Sequence, residues 1–248
     1  MEETTAEKRE SMIAKITALL NHAESKGCTP EESESFYSKA QDLMTKWAID
    51  EELLKMSGKK VDIDDVIKTV RFPIPSTYFM QLITLWAAVA KANDCRVLYS
   101  KGYRTAAGEV IVTGYESDLG RVQLLVTSLQ LFALREAQRE SKAQGGDYYF
   151  RRSFIDAFAH RIGARLIEAR ATTVKTAESS APGLGLALID KGKQVDSFVN
   201  STMRVGKARR GGGTRYDSGG ASAGRKAADR ADLGQRRAGG GNRGSLGS

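Results

Sequence analysis

The chain has 248 residues, 41% of them hydrophobic and 27% charged, the balance of a soluble globular protein with one large or two small domains. It holds no run of eighteen apolar residues, which excludes a helical membrane span, and its acidic N-terminus lacks the architecture of a signal peptide. The formal net charge of +8 belongs wholly to residues 204–248, with eleven Lys or Arg against three Asp or Glu, while residues 1–203 hold 27 of each sign. A nucleic-acid role therefore has to start from the tail.

Taken in order, the chain opens on two amphipathic helices. Met12, Ile13, Ile16, Leu19, Leu20 and Ala23 recur at helical steps, and Thr4 and Glu7 have the capping-box spacing that starts a helix just after Thr4. Gly27 suits a helix end. Thr29-Pro30-Glu31-Glu32 begins a second helix, with Phe36, Ala40, Leu43, Met44 and Trp47 on one face. The short turn makes the pair an antiparallel hairpin, whose open apolar surface must dock on the rest of the chain or on a partner. Residues 50–56 add a short third helix, Gly58 stops it, and 59–65 reads as a linker.

Val66–Phe72 is β-branched and alternating, a strand that Pro73 and Pro75 are expected to end. Ser76 caps a helix reaching about Asn93, whose wide stripe of Phe79, Leu82, Ile83, Trp86, Val89 and Ala90 marks it as central. Cys95–Tyr99 and Glu109–Thr113 pair as a β-hairpin around a glycine-bearing polar loop. A long helix then spans Glu116–Lys142, and another runs from about Arg151 to Lys175. Leu186–Ile189 reads as a short strand and Lys193–Met203 as a last helix. The result is an α+β fold, mainly helical. It has an N-terminal helical hairpin (1–58), a helix-rich domain with a small antiparallel sheet (59–203), and a disordered basic Gly/Arg tail (204–248). Thirteen of the last 45 residues are glycine, and large hydrophobics nearly vanish there. Such a segment buries too little apolar surface to offset its ordering entropy, although Ala221–Ala231 has small residues at helical spacing and reads as a helix formed on binding.

Catalytic chemistry is hard to place. A zinc hydrolase needs two histidines four residues apart on one helix, whereas His22 and His160 lie on different helices. Cys28 and Cys95 follow no metal spacing and are expected to stay reduced in a cytoplasm. Gly219–Lys226 is a near miss to a phosphate-binding loop. Arg225 stands at the lysine position, Lys226 at the hydroxyl position, and no apolar strand precedes them. Glu116 and Asp118, at a helix start, are explained by the helix dipole. No cofactor, no metal and no small-molecule substrate is expected, and the protein is read as a non-enzyme.

Two groups point to binding instead. Tyr148, Tyr149, Phe150, Arg151 and Arg152 bring three aromatics and two arginines together after a glycine break, a composition found at protein hot spots and nucleic-acid surfaces. The bland reading is a staple that pins the following helix to the core. Arg204, Arg209, Arg210, Arg215, Arg225 and Lys226 suit weak, non-specific phosphate contacts, or a tail that merely aids solubility.

The N-terminal pattern also carries a resemblance. Lys15, Ile16, Leu19, Leu20, Ala23, Glu24 and Ser25, then Thr29-Pro30-Glu31-Glu32, then Lys39, Ala40, Leu43, Met44, Ile49 and Asp50 resemble the N-terminal helical domain of an actinobacterial and phage family of unknown function. With the chain length and the Gly/Arg tail, the whole looks similar to the recombination directionality factors of temperate Streptomyces phages. That resemblance implies a partner, a large serine integrase on its attachment-site DNA, which is switched from integration to excision in the cytoplasm of the bacterial host. The alternative is a direct nucleic-acid-binding accessory protein.

Overall fold

The computed structural model describes residues 5–25, 36, 39–40, 43–44, 46–47, 65–101, 107–179, 182–203, 206 and 215–230. The fold is α+β and mainly helical, with one small antiparallel sheet, as expected. In chain order the elements are α1 (Thr5–Glu24), β1 (Ile67–Pro75), α2 (Phe79–Lys91), β2 (Arg96–Lys101), β3 (Ala107–Tyr115), α3 (Glu116–Ala143), α4 (Tyr148–Glu178), α5 (Leu184–Thr202) and α6 (Ser218–Arg230). Phe36, Lys39, Ala40, Leu43, Met44, Lys46 and Trp47 are also helical, as the second N-terminal helix requires. The inter-helix turn, the expected third helix and all of the linker before Asp65 lie outside the described residues.

The sheet has the order β1-β3-β2, both pairings antiparallel, with Val112 opposite Val70 on one side and Val97 on the other. β3 is the middle strand because its alternate residues Val110 and Val112 are fully apolar and fully buried. β1 runs on through Pro73 and Pro75 instead of stopping before them. It is an edge strand, and an edge tolerates a missing N–H. One face of the sheet receives α2, whose Leu82, Leu85, Trp86 and Val89 are buried as its apolar stripe demands. Trp86 meets Phe72 of β1 at 4.7 Å, and its Nε1 donates to Gln130 Oε1 of α3 at 3.1 Å. Ser76 is not the N-cap expected of it: the helix starts later, with Tyr78 at the cap position, and the Ser76 hydroxyl accepts from the Tyr78 amide at 3.1 Å in the turn before it.

The hairpin helices dock on this body. Ile16, Leu20, Ala40, Met44 and Trp47 are buried in the same core as Leu82, Val112, Leu125 and Phe154. Three C-terminal readings change. α4 starts at Tyr148, three residues before the expected Arg151, because Asp147 serves as its N-cap. Leu186–Ile189 is helical, not extended. α5 begins at Leu184 behind Gly183, whose φ is 93°. The Glu178 carboxylate accepts from the Gly183 and Gly185 amides at 2.6 Å each, which satisfies two donors at that helix start and lowers the pKa of Glu178.

The third change lies in the expected tail. Residues 218–230 form a helix packed on the chain's own α4, not one that awaits a partner. Gly220, Ala221, Gly224, Ala227 and Ala228 are its buried face. A methyl group on Gly220 would overlap the Phe150 carbonyl oxygen, and one on Gly224 the Phe154 carbonyl oxygen. Absent side chains let the two backbones approach, and dispersion across that contact replaces the missing large hydrophobics. Polar ties flank it: Arg161 meets Asp229 at 2.5 Å, and Arg165 donates to the Ala228 carbonyl.

Candidate partner-binding surface

The α4 start is built by its cap. Asp147 Oδ1 accepts from the Phe150 amide at 3.1 Å and the Tyr149 amide at 2.8 Å, and these bonds hold its pKa below the usual carboxylate value, with Arg215 adding to them. The fixed first turn sorts the predicted site residues by direction. Phe150 turns inward and is buried, as the staple reading requires, so a partner cannot touch it. Tyr148 faces outward, 39% exposed, stacked on Tyr78 with centroids 5.4 Å apart. Tyr149 stands edge-on to Tyr148 at 5.5 Å. Arg151 supports this group from behind: its Nε donates to the Tyr78 hydroxyl at 2.8 Å and its Nη1 to Ser141 Oγ at 3.1 Å. Arg152 is half-buried beside it.

The predicted nucleic-acid contacts divide three ways. The Arg215 guanidinium lies over the Tyr149 ring, 4.9 Å from its centroid. Arg225 and Lys226 are exposed on the outer face of α6. Arg204, Arg209 and Arg210 lie outside the described residues. Tyr216, which sequence reasoning passed over, is 60% exposed next to Arg215. The following amide, of Asp217, donates to Ser153 Oγ of α4 at 2.9 Å, and Asp217 Oδ1 accepts from Gly220 N at 2.7 Å to cap α6. The tail residues are thus fastened to the same end of α4 that carries Tyr148 and Tyr149. No sequence signal joined them, because the contact spans more than sixty residues of chain.

Charge is concentrated elsewhere, in the interior. Glu116 behaves as the dipole argument expects: it is half-exposed and pairs with Lys68 at 2.7 Å. Asp118 does not. It is 3% exposed, paired with Arg121 one turn on and with Lys191 of α5 at 2.7 Å. The Arg121 guanidinium lies 5.1 Å from the Trp47 ring centroid, and the Lys191 ammonium 5.0 Å from that of Tyr115. Burial acts to lower the pKa of Lys191, but the charge and hydrogen bond of Asp118 outweigh it and raise it. The i,i+3 spacing of Asp118 and Arg121 was visible in sequence; the partner Lys191 was not. Enclosed around the one carboxylate, these groups tie α5 and the N-terminal hairpin to the start of α3.

Cys95 is buried, and burial first, then the charges of Asp118 and Asp94, pushes its thiol well above the ordinary value. His160 is exposed, 3.9 Å from Asp156, and His22 stacks on Phe36 at 5.3 Å. Among the described residues no three His, Cys, Asp or Glu side chains are grouped to hold a metal ion, and no helix is long and apolar enough to cross a membrane. Cys28 lies outside the described residues. A groove of about 480 Å³ separates α1 from α3, lined by Ile13, Leu20, Trp47, Arg121, Leu124 and Leu131.

Comparison with known proteins places one segment. Residues 11–51 match a family described as "Protein of unknown function (DUF2786)". Within that span the structure buries Ile16, Leu20, Ala40, Met44 and Trp47, the face that docks on the body. No curated protein and no solved structure matches the chain.

Proposed function

We propose that this protein works by binding a macromolecular partner and catalyses nothing. More specifically, we propose that it is a recombination directionality factor whose partner is a large serine integrase on its attachment-site DNA. The observation that carries a binding role is the exposed Tyr148, stacked on the half-buried Tyr78 and edge-on to the half-buried Tyr149, in a cluster held in place by Arg151 and the Asp147 cap. Rigid aromatics present large contact area at little entropic cost, which is why tyrosine recurs at hot spots. The integrase assignment is supported by the N-terminal pattern, Lys15-Ile16 through Ile49-Asp50, and by the Gly/Arg-rich C-terminus.

In this reading the factor need not touch a reacting bond. It binds one arrangement of the integrase–DNA synapse more tightly than the other, and the ratio of the two affinities sets the direction of recombination. The test is calorimetry of the full chain against the serine integrase of the same genome, without DNA. We expect a specific complex, with Tyr148→Ala and Tyr149→Ala each weakening it by roughly 2 kcal/mol, the ordinary size of a hot-spot truncation. Tight, sequence-selective binding to naked attachment-site DNA, with no integrase complex, would replace this reading by that of a direct DNA binder.

A further inference from the structure

We infer that Tyr148, Tyr149 and Arg152 of α4 form one recognition surface with Arg215 and Tyr216 of the C-terminal segment, and that this surface takes an acidic segment of the partner protein. The inference rests on the partner-binding reading above and adds to it the surface's extent and the chemistry of its ligand.

Three observations carry it. First, the two parts are in register: Arg215 covers the Tyr149 ring, and the next two residues lead straight into the Asp217–Ser153 hydrogen bond. Second, the register is enforced at a distance. Gly220 and Gly224 seat α6 against the α4 backbone, and a helix fixed at those points has no freedom to carry Arg215 away. Third, the outward charge is cationic. Arg215 lies over Tyr149, and Arg152 follows Tyr149 by three residues on the same side of α4. The carboxylates beside them, Asp147 and Asp217, are both engaged in capping helix amides. The exposed faces of Tyr148 and Tyr216 offer apolar contact, and the arginines offer forked donors that match carboxylates. An acidic protein segment with an apolar or aromatic side chain satisfies both.

The test uses the full chain and the serine integrase, with binding read by calorimetry at low and high salt. We expect Arg215→Glu and Tyr216→Ala each to weaken the complex about ten-fold, with Arg215→Glu also flattening the salt dependence. Both side chains are exposed, so neither substitution threatens folding. Gly224→Leu, which forces α6 off α4, should cost at least as much while Tyr148–Arg152 remain unchanged. Should Arg215→Glu and Tyr216→Ala bind like the native chain, the bipartite surface is overturned even though the integrase complex stands. Failure of the native chain to bind integrase sinks the underlying reading instead. If a single-stranded 20-nucleotide DNA displaces integrase and is itself lost with Arg215→Glu, the ligand is nucleic acid, and the acidic protein segment is overturned.

Discussion

Lys191 shows how much a single buried charge decides. Its ammonium reaches from α5 to Asp118 at 2.7 Å inside a region closed to water. Lys191→Met should destabilise the fold by about 3 kcal/mol, the low end for breaking a buried pair, because Asp118 keeps Arg121. Chemical denaturation at neutral pH reads that loss. The pH dependence has a definite sign. Folded Lys191 holds its proton more tightly than the unfolded side chain, so its stabilisation is complete below the ordinary pKa of 10.5 and disappears as pH rises through the higher folded value. Native stability measured from pH 9 upward should therefore fall more steeply than that of Lys191→Met. Cys95 makes a second, independent expectation. With its thiol buried and its pKa pushed up, iodoacetamide at neutral pH should label it at least tenfold more slowly in the native chain than after unfolding, as followed by peptide mass spectrometry.

Among the elements, α6 is the instructive one. Large side chains at regular spacing made α2, α3 and the hairpin legible: Leu82, Trp86 and Val89, or Ile16 and Leu20, announce both a helix and its buried face. α6 has no such residues, and its glycines argued for a tail. What the composition could not convey is that Gly220 and Gly224 bury themselves by bringing two backbones together. The aromatic cluster divides in the same way. Its composition was visible, but which ring turned inward depended on Asp147 acting as a cap, and a cap shows its role only once the helix start is known. Gly224→Ala tests the close approach. It should cost about 1–3 kcal/mol, the usual range for overpacking, although alanine is the better helix former. Amide exchange in residues 221–230 should be slow in the native protein and fast in Gly224→Ala. Rapid exchange in both would mean that α6 is not seated as described.

At the scale of the whole molecule, the segment that matches the family of unknown function docks on the body. Within residues 11–51, Ile16, Leu20, Met44 and Trp47 pack against the common core. Trp47→Ala should therefore cost about 3–5 kcal/mol, as large aromatic truncations in cores do, and should loosen Arg121, which lies against that ring. A melting curve gives the first, and amide exchange in the first two turns of α3 the second. Integrase binding by whatever fraction remains folded should be unaffected, because Tyr148 and Arg215 lie on other elements.

The sheet order has a last consequence. With β3 in the middle, β1 and β2 are the two edges of the described sheet, where strand addition by another chain would have to occur. Pro73 and Pro75 remove two amide donors from β1, and α5 lies beside β2, held by Arg96 to Asp196 at 2.8 Å, with Tyr115 at the end of β3 donating to Gln194. A partner that extends this sheet by main-chain pairing therefore meets a proline-interrupted edge at β1 and α5 beside β2. Recognition at these borders falls to side chains, so it can be rewritten by substitution without touching the scaffold.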